Sequence, residues 1–435
     1  MSAKPSVLVL GATGFTGKLI TKYLASHRDS AAFTLALGAR SKARLDELVA
    51  NLDLGTAVQL HVVDVTSPAQ LDEVVASVTV VINTVGPFWT WGTPVVNACV
   101  RHGIHYVDLT GETPWIKRVI NMFHYSATKT GAIIVPSSGF DSVPADIINF
   151  LASKTLREFS NEPVDIDTSV SAYVLKGGVS GGTISTGLTG LTIPKNERRM
   201  ASFEYSLSPA LGAPPLPRRL VHRLFLPDTR RTLIGAFYFM SPTNRALVQR
   251  SWGLFETESQ KDRTLPHYGP AFKYDEFMVT GGPVSAVLLT LGMVIGFGAF
   301  MISPLRWFLQ KLLPKSGEGP SPSVQKNGFL KVTNITTAVA SPARPAPLQV
   351  KTIMTGQGDP GYSLTAVLIS EAALSLALTP TDKLPPLARR GGVLTPATAL
   401  GDLYVERLVA SGRVTFESKI VSTEVMLPRL ATPGR

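Results

Sequence analysis

The stretch SVLVLGATGFTGKLITKYL, residues 6–24, constrains the fold of this chain more than any other. An apolar run leads into Gly11, Gly14 and Gly17, and a helical pattern follows. Such glycines allow a tight turn off a strand, a close approach of a phosphate to the backbone, and close packing of the helix. The start of the helix then presents N–H groups and the positive end of its dipole to an anion. The stretch therefore predicts a turn that binds the pyrophosphate of a dinucleotide.

The position of this motif supports the prediction more strongly than its G-x-x-G-x-x-G spacing, which is a variant of the usual pattern. It opens a region of six near-continuous apolar runs that alternate with helical patterns. The runs are Val7–Leu10, Phe33–Leu37, Leu60–Val63, Val78–Ile82, Ile104–Asp108 and Ala132–Val135. Such runs are typical of parallel strands that are covered on both faces. Residues 1–150 are therefore predicted to form a doubly wound α/β domain of the Rossmann type. The residues expected to contact the cofactor at its first turn are Gly11, Thr13, Gly14, Phe15, Thr16 and Gly17.

Helix starts and later strands complete the outline. Ser67-Pro68 and Thr93-Pro94 each look like a capping residue followed by proline at the first helical position. The pattern changes after residue 150: 164–175 alternates as a strand does, and 328–338 and 349–355 resemble a pair of longer strands. A mostly antiparallel α+β substrate domain is predicted for 151–357, inserted before two helical patterns near the carboxyl end, 361–378 and 395–412.

The end of the second strand indicates which dinucleotide binds. An NAD site usually carries an acidic residue there, whereas this chain has TLALGARSKAR and no carboxylate before Asp46. Arg40 stands where a 2′-phosphate would lie, and Ser41 adds a donor. Since a guanidinium binds phosphate with two charge-assisted bonds, NADP(H) is predicted over NAD(H). The alternative is that Arg40 is an ordinary surface cation.

Other cofactor contacts are expected where the third and fourth strands end. Asp64 suits the adenine half, unless it caps the turn that follows. Asn83, Gly86 and Pro87 in INTVGPF suit the nicotinamide half, because ligands of such sheets bind beyond the carboxyl ends of the strands.

Three carboxyl groups near the same edge are candidates for proton transfer. Asp108 and Glu112 belong to YVDLTGE, and Asp141 belongs to GFDSVPAD. Carboxyl groups in a cleft often have raised pKa values and can move protons. The alternative for each is that it caps a helix or holds a loop.

Taken in order, GATGFTG, INTVGPF, YVDLTGE and GFDSVPAD resemble the saccharopine dehydrogenase-like oxidoreductases, in particular the trans-acting enoyl reductases. SGGT at 180–183, GEGPS at 317–321, GDPGY at 358–362 and GGVLTPATALG at 391–401 are similar too, so the resemblance covers nearly the whole chain. It implies NAD(P)-dependent reduction and a carboxyl-terminal segment, 358–435, whose helices return to the first domain. The lysine–histidine pair of saccharopine-forming enzymes has no clear counterpart, which favours an apolar, acyl-type substrate.

Composition limits the partners. The formal charge of +11 favours anionic partners, but no nucleic-acid-binding motif is present. Cys99 is the single cysteine, so neither a disulfide nor a cysteine-ligated metal site is expected, and a cytoplasmic location fits best. The expected partners are an acyl or lipid-like small molecule, free or carrier-bound, a peripheral membrane or lipid-droplet surface, and a second copy of the chain as a homodimer.

The uncharged stretch 284–302 is long enough to span hydrocarbon. The strands before and after it are expected to share one sheet, so an element that dips into a membrane is favoured over a span or a buried core helix. The residues beside the stretch suit a headgroup boundary: Arg306, Trp307, Phe308, Lys311 and Lys315. A second cluster would bind anionic lipid or the phosphate of an acyl carrier, unless it is an ordinary solvated face: Arg218, Arg219, Arg223, Arg230 and Arg231.

The expected function is NADPH-dependent reduction of an enoyl double bond or a carbonyl on a lipid-like or polyketide-like substrate. One alternative mechanism uses Tyr125 and Lys129, which have the Tyr-x-x-x-Lys spacing of short-chain dehydrogenases. Another alternative is a membrane-associated scaffold or sensor that binds NADPH without turnover.

Overall fold

The computed structural model describes residues 4–421 except 56–57, 161–163, 179–180, 218, 263–264, 302–303, 305–318 and 341–345. Within these residues the chain forms two seven-stranded sheets with helices around and between them. One sheet is all parallel and the other is mixed.

The parallel sheet contains the six predicted strands and one short addition. Its strands are β1 (Ser6–Leu10), β2 (Thr34–Ala39), β3 (Gln59–Val62), β4 (Val80–Asn83), β5 (His105–Asp108), β6 (Ile133–Val135) and β13 (Gly392–Val393). Their order is β13-β6-β5-β4-β1-β2-β3, so the strand order reverses between β1 and β4. Ligands of open α/β sheets bind at such a reversal. The predicted Rossmann domain is confirmed.

Helices follow the strands and cover both faces of this sheet. They are α1 (Phe15–Ala25), α2 (Lys42–Leu52), α3 (Pro68–Ala76), α4 (Phe88–His102), α5 (Thr113–Thr130) and α6 (Val143–Ser160). Two large apolar clusters lie on the two faces, as the near-continuous apolar strands require. The predicted start of α3 at Pro68 is correct, but Pro94 lies inside α4, which begins six residues earlier at Phe88.

The second sheet is mostly antiparallel, as predicted. Its strands are β7 (Ile166–Lys176), β8 (His222–Leu226), β9 (Arg231–Phe237), β10 (Lys273–Val279), β11 (Phe329–Ala338), β12 (Gln349–Gln357) and β14 (Val414–Ile420). Their order is β14-β12-β11-β7-β10-β9-β8, and only β7 and β10 pair in parallel among the strands described. The remaining helices are α7 (Gly181–Thr192), α8 (Lys195–Ala201), α9 (Ser241–Ser259), α10 (Pro283–Met301), α11 (Pro322–Asn327), α12 (Thr365–Leu378), α13 (Pro386–Arg389) and α14 (Pro396–Ala410).

The carboxyl-terminal segment ties the two sheets together. A π-helical turn, Pro360–Leu364, leads into α12, which packs against α1, and β13 joins the edge of the first sheet. The expected helical segment also contains a strand near its end, because β14 pairs with β12 in the second sheet. The buried carboxylate of Glu371 in α12 accepts hydrogen bonds from Tyr23 (2.6 Å), His27 (2.9 Å) and Arg407 (2.8 Å). These bonds fasten α12 to α1 and α14.

The uncharged stretch after β10 forms α10, a single helix that packs against β9. A buried core helix is ruled out, because Val284 is 72% exposed, Leu288 65% and Ile295 69%. The flanking strands β10 and β11 do share one sheet, as expected. Several residues of this prediction lie outside the described residues, namely Arg218, Ile302, Arg306, Trp307, Phe308, Lys311 and Lys315.

Candidate functional site

The glycine-rich turn has the geometry that a close approach of backbone requires. Gly11 has a φ of +84°, and a Cβ there would lie 2.6 Å from the Thr84 hydroxyl oxygen. A Cβ on Gly17 would lie 2.3 Å from the Gly11 carbonyl oxygen. The Thr84 hydroxyl donates to the carbonyl oxygens of Leu10 (2.9 Å) and Gly11 (3.2 Å) and so holds the turn from the neighbouring strand end. Only glycine fits at these two positions.

The amino terminus of α1 offers its N–H groups to an anion. Gly14 is the capping residue, and without a side chain it makes no capping hydrogen bond to them. The nearest atom to a Cβ on Gly14 is the Gly11 carbonyl oxygen at 3.2 Å, so the outer side of this residue is open. A pyrophosphate fits this cradle, where main-chain N–H groups and the helix dipole bind it. The side chains of Thr13, Phe15 and Thr16 border the cradle, and the Phe15 ring packs edge-on against Tyr362.

The end of β2 carries the cation that NADP(H) requires. Arg40 is exposed directly after the strand, and Ser41 is the capping residue of α2, accepting from the Arg44 N–H at 3.4 Å. The hydroxyl proton of Ser41 is left for a phosphate. Asp64 accepts from the N–H (2.9 Å) and hydroxyl (2.7 Å) of Thr66, and these bonds keep its pKa below the ordinary range. In the structure, Asp64 therefore caps the turn that follows it, which is the alternative role named above.

The ends of β4 and β5 are joined by a buried hydrogen-bond network. The Asn83 amide donates to the Tyr106 hydroxyl (3.1 Å), which donates to Asp108 (2.9 Å). The other oxygen of Asp108 accepts from the N–H groups of Thr110 and Ser137, each at 2.9 Å. Burial raises the pKa of Asp108 to about 7 against these bonds. Asp108 is fully buried and holds the loops after β5 and β6 together, so this geometry supports its alternative role of holding a loop rather than proton transfer.

The carboxylate of Glu112 is also engaged in hydrogen bonds to the backbone. Its two carboxylate oxygens accept from the N–H groups of Phe88 (2.7 Å) and Trp89 (2.8 Å), the first residues of α4. This is a helix cap supplied from a neighbouring loop. Burial raises the pKa of Glu112 despite the two bonds. The predicted role of Glu112 in proton transfer is not supported by this geometry, and its capping alternative is.

Asp141 differs from Asp108 and Glu112. It is partly exposed in the loop between β6 and α6, and no hydrogen bond or ion pair joins its carboxylate to another described residue. Burial raises its pKa to about 6. A carboxyl group that is half protonated near pH 6 and has no hydrogen-bond or ion-pair partner among the described residues is suited to acid catalysis.

The second domain forms the opposite wall. A Cβ on Gly111 would lie 3.7 Å from the Asp141 carboxylate and 3.3 Å from the end of the Met240 side chain. A Cβ on Gly86 would lie 3.9 Å from the Thr186 hydroxyl of α7. Gly86 and Pro87, just before α4, therefore lie close to α7 of the second domain, at the candidate cleft between the two sheets. Thr84 and the segment from Tyr238 to Met240 were not expected from the sequence, because no local pattern marks residues that a distant loop brings to a site.

Tyr125 and Lys129 lie away from this cleft. Tyr125 is 72% exposed, with the Lys129 ammonium 5.1 Å from its ring centre. Tyr125 lies twelve residues after Thr113, the first residue of α5, which is roughly 18 Å along a helix. This position does not support the alternative mechanism with Tyr125 and Lys129.

Together, the cradle, the arginine after β2 and the cleft acid define an NADP(H)-dependent oxidoreductase with a Rossmann domain. Residues 7–135 match the family model of the saccharopine dehydrogenase NADP binding domain. A Mycobacterium tuberculosis protein named trans-acting enoyl reductase is 32% identical over 94% of this chain and 96% of its own length. A second protein of that organism, provisionally given the same name, is 36% identical over 95% of this chain and 98% of its own length. The chain belongs to the trans-acting enoyl reductase branch of the saccharopine dehydrogenase-like oxidoreductases.

A solved structure shows the same fold. The saccharopine dehydrogenase (L-Glu forming) of Saccharomyces cerevisiae superposes with a TM-score of 0.50 at 15% identity and covers 96% of this chain and 100% of its own. The predicted fold, family and cofactor are thus confirmed.

Proposed function

We propose that this enzyme uses NADPH to reduce an enoyl double bond or a carbonyl of an acyl, lipid-like or polyketide-like substrate, free or bound to a carrier. The observation that carries the proposal is the carboxyl group of Asp141, which forms no hydrogen bond or ion pair with another residue that the structure describes. The names of the mycobacterial relatives support enoyl reduction in particular.

The chain's own residues divide the chemistry as follows. The turn at Gly11–Gly17 and Arg40 would hold the two phosphate-bearing parts of the cofactor, and Gly86 and Pro87 would lie against its nicotinamide half. The bound cofactor supplies a hydride. Asp141 in its protonated form would donate a proton to the carbon next to the one that accepts the hydride, or to the oxygen of a carbonyl substrate, which completes the reduction. Met240, beside Asp141, would help to keep water out of the cleft.

The test is oxidation of NADPH, followed by its absorbance, with a panel of enoyl and carbonyl thioesters. Gly14→Arg places a charged side chain in the phosphate cradle and should abolish both NADPH binding and turnover. Gly282→Arg is the matched control, since a Cβ on Gly282 meets no atom within 4 Å and the site is outside the cradle. NADPH binding with no oxidation across the panel would favour the non-catalytic sensor instead.

We also propose that the enzyme is cytoplasmic and lies against a membrane or lipid-droplet surface through α10. Most of the described apolar side chains of α10 are exposed, among them Val284, Leu288 and Ile295. The hairpin β8–β9 beside it carries exposed Arg223, Arg230 and Arg231. An apolar helix next to basic residues suits an anionic lipid surface.

Flotation with anionic vesicles tests this location. Wild type should float, whereas a variant with Leu288→Glu and Ile295→Glu should not, because both exposed positions would carry charge into the lipid. Lys18→Glu, which changes charge on α1 instead, is the control. Equal flotation of all three proteins would contradict the proposal, and the homodimer stays a prediction.

A further inference from the structure

A cavity of about 280 Å³ lies between α6, α9, α13 and α14 and shares no described lining residue with the candidate cleft. Its wall is mainly apolar and includes the side chains of Phe150, Phe255, Leu384, Leu387 and Leu400. The rings of Phe150 and Phe255 stack with their centroids 6.3 Å apart. Pockets for small molecules in proteins have volumes from about 300 Å³ upward, so this cavity has room for one small ligand.

A break in α14 forms part of the wall. Gly401, inside this helix, has a φ of +51° and a ψ of −133°, so the helix kinks there. A Cβ on Gly401 would lie 3.5 Å from the Phe150 ring and 3.7 Å from the Pro385 ring, and both rings line the cavity. Glycine therefore keeps this side of the cavity free of a side chain. Backbone in such a rarely adopted conformation is concentrated at binding and catalytic sites.

The charged side chains that line the cavity are not equivalent. Glu258 forms an ion pair with Arg390, and Asp402 accepts from the Lys154 ammonium at 2.7 Å. The third charged side chain of the lining is Lys383, which is exposed. No hydrogen bond or ion pair joins its ammonium group to another residue that the structure describes. The two carboxylates of the lining are thus engaged by cations, and one cation is left for a ligand.

We propose that this cavity binds a small amphipathic carboxylate, of the kind that a free medium-chain fatty acid represents. The apolar chain would lie against the aromatic and leucine side chains, because moving apolar surface from water to such a wall is favourable. The carboxylate would pair with the Lys383 ammonium at the opening. This site is separate from the candidate cleft, and the proposal does not depend on which substrate the enzyme reduces.

The charges of the lining favour a carboxylate over a phosphate as the polar end. A phosphate monoester carries up to two negative charges and is bound best by the planar fork of a guanidinium group. The described lining offers a single ammonium group, and the carboxylates of Glu258 and Asp402 lie in the same wall. One negative charge matches this lining, and a second would lack a cation.

Titration calorimetry of the whole protein with octanoate, octan-1-ol, octylamine and octyl phosphate tests the proposal. Octanoate should bind at one site per chain and about two- to fivefold more tightly than octan-1-ol, since an exposed ion pair contributes modestly. Octylamine and octyl phosphate should bind more weakly than octanoate. No binding of octanoate, or tighter binding of octyl phosphate, would overturn the proposal.

Two variants locate the two ends of the ligand. Lys383→Ala should lower the affinity for octanoate to that for octan-1-ol and leave octan-1-ol binding unchanged. Lys326→Ala is the matched control, because Lys326 is an exposed lysine of α11 that does not line the cavity. Equal affinity for octanoate in wild type and Lys383→Ala would show that the carboxylate does not bind there and would overturn the proposal.

Leu387→Trp should fill the cavity and weaken the binding of both octanoate and octan-1-ol by about tenfold or more. Thermal unfolding, measured in parallel, establishes that this variant is folded. Unchanged binding in folded Leu387→Trp would place the ligand elsewhere, in the candidate cleft or against α10, and would overturn the proposal. None of these measurements requires turnover, so a failure of the proposed reaction would leave their outcome intact.

Discussion

The loop after β5 and the loop after β6 carry the same kind of residue and use it differently. In the first loop, the carboxylate oxygens of Asp108 and Glu112 accept hydrogen bonds from N–H groups of neighbouring loops and of α4. In the second, Asp141 has no such partner in the described structure and faces the second domain. A raised pKa alone does not distinguish the three carboxyl groups, because burial raises the pKa of each one. The hydrogen-bond partners do separate them.

The largest expected effect is on catalysis at Asp141. Asp141→Asn removes the proton but keeps the shape, and it should lower the rate of reduction by about 100- to 10,000-fold. Its melting temperature should equal or exceed that of wild type, because no hydrogen bond with a described residue is lost and a costly buried charge is removed. Turnover assays and thermal unfolding check the two parts, and a stability loss with activity retained would place Asp141 with the structural acids.

Asp108→Ala should show the opposite pattern. It leaves two backbone N–H groups and the Tyr106 hydroxyl without an acceptor, so the free energy of unfolding should fall by about 3 kcal/mol. Denaturant unfolding measures this loss. Turnover per folded molecule should stay near that of wild type at a temperature where the variant is folded, and a selective loss of turnover instead would return Asp108 to the catalytic group.

Glu112→Gln tests the capping role of Glu112, for which a smaller loss of stability is expected. The amide keeps one acceptor oxygen for the start of α4 but turns an N–H₂ toward the second donor, so the free energy of unfolding should fall by about 1 kcal/mol. Activity should change little. Hydrogen exchange at Phe88 and Trp89 gives a local readout, and unchanged protection there would contradict the capping role.

The smallest effect is the pH dependence of the first turnover. Asp141 must be protonated to act as an acid, so the rate should fall as pH rises through its pKa of about 6. The decrease between pH 6 and pH 7 should be about fivefold, as the protonated fraction drops from a half to a tenth. The residual activity of Asp141→Asn should lack this dependence, and an equal slope in the variant would assign the titration to another group.

Two apolar helical stretches show why hydropathy alone does not decide whether a helix contacts a membrane. Pro360–Leu378 and Pro283–Met301 each have 19 residues, and the first is apolar and long enough to cross a membrane by composition. The structure buries the first in the core, where Glu371 binds side chains of α1 and α14, and leaves most of the second exposed. Neighbours that are distant in sequence decided each outcome.

The start of α4 shows the same limit. Thr93-Pro94 has the local signature of a helix start, yet the helix begins at Phe88, because the Glu112 carboxylate binds the first N–H groups there. At Thr395-Pro396 a similar local signature coincides with the actual start of α14. Thr395 caps this helix with its own side chain, and the Asp146 carboxylate, from α6, also accepts from the Ala397 N–H at 2.7 Å.

The sequence by itself determined the sheet, the dinucleotide turn and the cofactor. These signals are local: the apolar runs, Gly11 and Gly17, and Arg40 after β2. Each of them acts through backbone geometry or charge within a few residues of its own position in the chain. Only the tertiary structure decided which carboxyl group is free. The hydrogen bonds that occupy Asp108 and Glu112 come from residues up to 29 positions away, and Met240, which lies near Gly111 and Asp141, follows a strand of the other sheet. Whether an acid caps a backbone or serves a reaction depends on partners that chain folding brings together, and no local pattern encodes them.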